Sequence, residues 1–220
     1  MPTALRAVLF ALASASGAQT QTLWEVSGTS ESRFGEGLAL VGDTNGDGIE
    51  DVLVGAPGDD TLGVDAGRIV VLSGLDGTLL LDVVHDLPGA QFGSACAGPG
   101  DLDGDGLDDL LVGAYRSPVN GDRSGRVFAL RGVDGAVLFD IPGAAEQDEF
   151  GIAVAGLGDL DGDSIPDFAV GAHHSSEVAF HSGSVRVFSG ADATQLMLFT
   201  GDEAIDDLGL VMVVQGGHRR

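Results

Sequence analysis

A chain of 220 residues with 44% hydrophobic side chains is long enough to bury a core, and its 34 acidic residues against 10 basic ones, all arginine, leave a formal net charge of −24. That field repels nucleic acid and anionic membrane surfaces, and no stretch approaches the roughly 20 apolar residues of a membrane-spanning helix. Cys96 is the sole cysteine, which excludes an internal disulfide.

The N-terminus comes first in chain order. Met1 to Arg6 is a short basic start, Ala7 to Ala13 an apolar run, and Ser16-Gly17-Ala18 a small-residue cleavage pattern. This order is that of a secretory signal peptide over residues 1–18, cut near Ala18, which places the product outside the cytoplasm, secreted or at the cell surface.

From Phe34 onward the chain repeats itself. Phe34-Gly35, Phe92-Gly93 and Phe150-Gly151 stand 58 residues apart (92 − 34 and 150 − 92), and Asp43, Asp101 and Asp159 keep the same step. A fixed period marks an architecture of like modules that cannot bury their faces alone. The units run over 34–91, 92–149 and 150–207, with a truncated fourth at 208–220, all within one segment from 19 to 220.

Each unit has room for four short strands. The first is predicted over Gly37 to Val41, Ser94 to Ala97 and Ile152 to Leu157; the second over Asp51 to Ala56, Asp109 to Ala114 and Asp167 to Ala172. A polar, Gly-rich connection leads to the third, at Arg68 to Leu72, Arg126 to Leu130 and Ser184 to Phe188. Tight turns at Asp76-Gly77, Asp134-Gly135 and Asp192-Ala193 lead to the fourth, at Thr78 to Val84, Ala136 to Ile141 and Gln195 to Phe199. The first two strands are rich in small residues and lack in-out alternation, which suits strands sandwiched between neighbouring sheets. The fold class is all-β: four-stranded antiparallel blades of an incomplete β-propeller. Leu23 to Val26 matches the fourth strand of a preceding blade, and Leu208-Gly209 to Val214 restarts the pattern. Cys96 shares its register with Leu38 and Val154, so it reads as a small buried apolar residue.

Between first and second strands lie three acid loops: Asp43, Asn45, Asp47 and Asp51; Asp101, Asp103, Asp105 and Asp109; Asp159, Asp161, Asp163 and Asp167. Oxygen-bearing side chains fall at loop positions 1, 3, 5 and 9, with glycine at 4 and, except for Ser164, at 6. Glycine permits the tight curl that turns alternate side chains inward. So many carboxylates converge only around a hard cation, and Ca²⁺, which accepts six to eight oxygens, suits them better than Mg²⁺. Ile49, Leu107 and Ile165 at position 7 would add backbone carbonyls. An EF-hand is excluded because its position 12 is held by Val54, Val112 and Val170. The second loop, with four Asp, is expected to bind most tightly, and Ser164 to add strain if its position needs positive φ. All three sites belong to the weak range of extracellular modules, about 10⁻⁴ to 10⁻³ M.

Phe-Gly, the Asp-x-Asp/Asn-Gly-Asp-Gly loop and Gly55-Ala56-Pro57 together resemble the FG-GAP repeat of the integrin α-chain propeller and its bacterial relatives. The resemblance implies a seven-bladed propeller with calcium loops on its lower face and partner-binding loops on its upper face. The sequence departs from the motif at Tyr115 and His173, which stand where Pro57 does, and in holding only three complete units. Where a fourth acid loop is due, Gly217, His218, Arg219 and Arg220 appear. The codons GGA-CAT-CGA-CGG would encode them and, read one base later, give Asp-Ile-Asp-Gly, so a frameshift truncation is expected there.

The function implied is a calcium-binding extracellular binding or adhesion module, not an enzyme. Protein or glycan ligands would meet the variable loops 57–66, 115–124 and 173–182, with Tyr115, Arg116, Arg123, His173 and His174 as contacts. The alternatives are the propeller part of a secreted lyase or hydrolase and a structural spacer of a larger surface protein. His173, His174 and His181 could gather a transition metal, but adjacent histidines in an extended loop point opposite ways. Uncovered end blades would favour self-association.

Overall fold

The computed structural model describes residues 5–7, 25–29 and 31–212. Of the leader expected over 1–18, only β1 (Leu5–Ala7) is among them, pairing antiparallel with β2 (Val26–Gly28). The expected cleavage point and the variant tail at 217–220 lie outside the described residues.

Three antiparallel meanders follow. The first contains β3 (Leu38–Leu40), β4 (Val52–Ala56), β5 (Arg68–Leu72) and β6 (Leu79–Val84). The second contains β7 (Ala95–Gly100), β8 (Asp109–Gly113), β9 (Arg126–Leu130) and β10 (Val137–Pro142). The third contains β11 (Ala153–Gly158), β12 (Asp167–Ala172), β13 (Ser184–Phe188) and β14 (Gln195–Thr200). The third strands coincide with those expected. The first strands begin a residue late because the chain still turns after Phe-Gly: the Ser94 and Ile152 amides donate to the Gln91 and Glu149 carbonyls, at 3.2 and 3.1 Å.

The core lies between sheets. Leu53, Ile69 and Val71 of the first sheet meet Leu110, Val112, Phe128 and Leu130 of the second, with Phe92 wedged between. The second sheet's other face, with Leu111 and Val127, meets Phe168, Val170 and Phe188 of the third around Phe150. Phe92 packs edge-on to Phe128 with ring centroids 5.5 Å apart, and Phe150 to Phe188 at 6.1 Å. β4, β8 and β12 are buried along their whole lengths, as expected of strands covered on both faces. The first strands depart from that expectation. In β3 Leu38 and Leu40 are exposed, and most of β7 is only partly covered, because these strands form the inner edge of each sheet, with a strand on one side only. Inner strands of successive sheets pack on one another, so the three blades fan out in an open arc.

The Phe-Gly turns tie blade to blade. Phe92 donates its amide to the Ala66 carbonyl of the first blade (3.1 Å), while Gly93 donates to Gly113 of its own (3.0 Å). Phe150 and Gly151 repeat this arrangement, and Leu208 bonds the Ser182 carbonyl at 3.2 Å, extending the pattern beyond the third blade. The remaining face of the first blade carries Val52, Val54, Val70 and Leu72, partly covered by Val26 and Phe34, beside a groove of about 550 Å³.

The meander sorts the loops by edge. First-to-second loops share one edge with third-to-fourth turns; second-to-third loops share the other with the Phe-Gly connections. The acid loops and the candidate partner loops therefore sit at opposite ends of the blades.

Candidate metal-binding loops

Each acid loop is curled by its own carboxylates. Asp43 accepts the Gly46 and Gly48 amides, each at 2.7 Å. Asp101 accepts Gly104 and Gly106 at 2.7 and 2.9 Å, and Asp159 accepts Gly162 and Ser164 at 2.6 and 3.0 Å. Position 3 accepts the amide of position 5: Asn45 from Asp47, Asp103 from Asp105 and Asp161 from Asp163, at 2.9, 3.1 and 3.1 Å. Position 5 accepts from position 7, since Ile49, Leu107 and Ile165 donate to Asp47, Asp105 and Asp163 at 2.8 Å each. Amides surround the Asp43 carboxylate, Gly48 foremost, and hold it below the usual carboxylate range.

Position 9 works differently. Asp51, Asp109 and Asp167 are fully buried, and each spans two segments. Asp109 accepts the Leu102 amide at 2.8 Å with one oxygen and the Gly132 amide, in the third-to-fourth turn, at 3.0 Å with the other. Asp167 does the same with Leu160 and Gly190 (2.7 and 3.1 Å), and Asp51 with Thr44 and Gly74 (3.0 and 3.1 Å). The Thr44 hydroxyl adds a bond to Asp51 at 2.6 Å. Burial pushes the Asp109 carboxyl up to about 6 against the pull of its two amides, and Asp103 and Asp105 raise it further.

Carboxylate oxygens of Asp101, Asp103 and Asp109 lie within 4.8 Å of one another, as do those of Asp159, Asp161 and Asp167. Positions 1, 3 and 9 thus converge in the second and third loops. Asp105 and Asp163 at position 5 stand outside these groups, and in the first loop neutral Asn45 holds position 3. An all-oxygen set fits a hard dication, and carboxylate oxygens bonded to one amide keep a lone pair for it. Ser164 has φ +77°, beside +82° and +89° for Gly48 and Gly106, so the expected strain is present.

The sequence pattern did not show Arg131. Its Nε lies 2.6 Å from Asp103 Oδ2, so an internal cation reaches the loop richest in charge. Ser73 and Ser189 hold its register in the other blades, which makes the contact visible only once the turn is placed beside the loop. Asp108 was missed too; it accepts the Asp43 amide at 2.9 Å and joins neighbouring acid loops.

At the opposite edge, Pro57-Gly58, Tyr115-Arg116 and His173-His174 are the central residues of β-turns, closed by amides of Asp59, Ser117 and Ser175 at 3.0 Å each. This corrects the expectation that the adjacent histidines diverge: in a turn rather than an extended loop, their ring centroids lie 3.9 Å apart. His181 stacks on His174 at 4.4 Å. Burial lowers His173 to about 4 and also lowers His174, so both imidazoles are neutral near pH 7. Cys96 is half-buried between blades, and burial pushes its thiol up to about 12, which leaves it an inert packing residue.

Fold and loops together define an array of propeller blades, each bearing an acid loop at one edge. The FG-GAP repeat family matches residues 34–72, 94–130 and 150–188. The chain belongs to that family and is integrin-α-like: it is 33% identical to integrin alpha-5 of Xenopus laevis over 180 residues, covering 78% of this chain and 16% of that one. Integrin alpha-2 of Bos taurus is 36% identical over 156 residues (64% of this chain, 13% of that one), and integrin alpha-PS2 of Drosophila melanogaster 35% over 165 residues (69% and 11%). The chain therefore spans no more than 16% of the length of these three relatives. Among solved structures, a Bacillus licheniformis rhamnogalacturonan lyase matches with a TM-score of 0.46 at 16% identity, over 80% of this chain and 35% of that one. Among the described residues, no helix is long and apolar enough to cross a membrane.

Proposed function

We propose that the chain is a calcium-stabilised binding or adhesion module that acts outside the cytoplasm, with one Ca²⁺ held by each acid loop. The observation that carries this is the convergence of position 1, 3 and 9 carboxylates on a common point in the second and third loops. Asp43, Asn45, Asp47 and Asp51 with the Ile49 carbonyl would hold the first ion; Asp101, Asp103, Asp105 and Asp109 with Leu107 the second; Asp159, Asp161, Asp163 and Asp167 with Ile165 the third. Because position 9 also bonds the third-to-fourth turn, a bound ion would clamp the inner and outer strand pairs together. It would also offset the repulsion within a chain of net charge −24.

Loops 57–66, 115–124 and 173–182 would carry recognition of a protein or glycan. They vary between units while the strands repeat, as function on a rigid scaffold does. The leader-like N-terminus and kinship with integrin α-chains support a secreted or cell-surface placement.

Calorimetric titration of chelator-treated protein with Ca²⁺, with melting followed by circular dichroism, tests the metal. Uptake of three ions and a higher melting temperature is expected; no uptake and an unchanged melt would overturn the proposal. A protein and glycan screen repeated with the three loops replaced by Gly-Ser segments tests the recognition surface.

A further inference from the structure

Each repeat brings the same positions together at the edge opposite the acid loops. The residue before Phe-Gly meets the two central residues of the turn that follows Gly-Ala. In the second repeat these are Gln91, Tyr115 and Arg116. With its amide oriented by the hydrogen-bond network, Gln91 donates to the Tyr115 hydroxyl at 2.9 Å and accepts from Arg33 and Arg116 at 2.9 and 3.1 Å. That knot is complete as it stands.

In the third repeat the same positions hold Glu149, His173 and His174. Glu149 and His173 are buried and His174 is partly covered. Glu149 Oε2 lies 3.4 Å from His173 Nε2 and 3.6 Å from His174 Nδ1. One ligand atom from each residue falls within 4.8 Å of the others. Arg123 pairs with the other oxygen, Oε1, and so explains the buried charge without occupying Oε2. His173 Nδ1, the ring nitrogen that is not the one nearest Glu149, is buried with no hydrogen-bond partner, and Glu149 Oε1 and Arg123 Nε also lack hydrogen bonds, so this knot is less fully satisfied than its counterpart in the second repeat.

Bonds of 2.0–2.1 Å to a tetrahedral ion place neighbouring ligands about 3.3 Å apart. The two distances from Glu149 Oε2 lie close to that edge length. Two imidazoles and one carboxylate select a borderline transition metal, whereas Ca²⁺ takes oxygen ligands. We propose that Glu149, His173 and His174 form a Zn²⁺ site on the recognition edge of the third blade, separate from the acid loops. Three protein ligands leave the fourth position open to water, to neighbouring His181 or to a carboxylate from outside the chain.

The test is Zn²⁺ titration of the whole chain in millimolar Ca²⁺, which would keep the acid loops occupied. It is paired with Co²⁺ substitution, whose visible absorption reports a tetrahedral site. Wild type is expected to take up one Zn²⁺ and to give the Co²⁺ bands. His174→Ala removes the least buried ligand and is expected to weaken Zn²⁺ by more than about tenfold. His173→Ala combined with His174→Ala is expected to abolish both signals, while Ca²⁺ uptake and the zinc-free melting temperature of the single variant stay unchanged. Failure of wild type to bind Zn²⁺, or uptake indifferent to both variants, would overturn the assignment.

Discussion

A Cβ built on Gly55 would stand 1.8 Å from the carbonyl oxygen of Gly93, so the second strand of one blade and the Phe-Gly turn of the next meet backbone to backbone. Gly113 faces the Gly151 oxygen and Gly171 the Gly209 oxygen in the same way, each at 2.1 Å from such a Cβ. The two glycines of the motif are thus the two sides of one contact between blades. Gly113→Ala must push backbone that is held on both sides and is expected to cost about 2–3 kcal/mol. Gly104→Ala, where nothing lies within 4 Å but φ is +79°, is expected to cost only about 1 kcal/mol. Urea unfolding of both variants checks the order, and equal losses would mean that the interblade contact can yield.

Asp109 is the second fixed point. Asp109→Ala leaves the Leu102 and Gly132 amides without their acceptor in a buried site, at an expected cost of about 3 kcal/mol. Asp105→Ala, in the exposed part of the same loop, loses a single bond from Leu107 and should change stability by no more than about 0.5 kcal/mol. Unfolding both in excess chelator isolates the protein's own contribution. Calcium titration should then show that Asp105, structurally dispensable, still matters to the ion.

Much of this was legible because the sequence repeats. A period of two within strands is easily blurred by glycine and alanine, yet three copies in one register fixed Arg68–Leu72, Arg126–Leu130 and Ser184–Phe188 to the residue. The acid loops were legible from spacing alone, and the positive φ on which the expected strain at Ser164 depended is present. Departures from the repeat were harder to read. Arg131 and Glu149 each act through neighbours brought near by the fold, Asp103 from 28 residues away and His173 from 24. Comparing registers would have exposed them: Glu149 directly precedes Phe150-Gly151, where Gln91 and Arg33 stand in the other units.

Arg131 would compete with the calcium ion proposed for the second acid loop. Its guanidinium sits on Asp103, whose bond to it raises the arginine's pKa, and must be displaced or shared when a dication enters. Arg131→Ser, which restores the residue of the other blades, is expected to raise calcium affinity at this loop about two- to fivefold, less at high salt. Calorimetric titrations at low and high ionic strength check both. An unchanged affinity would show that the side chain swings aside freely.

His85 makes metal-free stability depend on pH. Its ring stacks on Phe92 at a centroid distance of 5.1 Å and lies 5.3 Å from Phe128, and its Nδ1 accepts the Leu87 amide at 3.1 Å. That bond requires a neutral ring at Nδ1. Burial lowers the His85 pKa, with Asp86 and Asp140 pulling it up and Arg126 pushing it down. The unfolded chain therefore takes up this proton first, and the fold loses stability as pH falls from about 6.5 towards the lower folded value. Well above pH 7 this dependence disappears, since the ring is neutral in both states. His85→Phe keeps the stacking partner, removes the titration and is expected to hold its urea midpoint more nearly constant between about pH 7.5 and 5.5, the range around the ordinary histidine pKa. Part of the fall will remain in the variant, because His173 and His174 are lowered by burial in the same direction. The difference between the two profiles isolates His85, and identical profiles would assign the whole dependence to other groups.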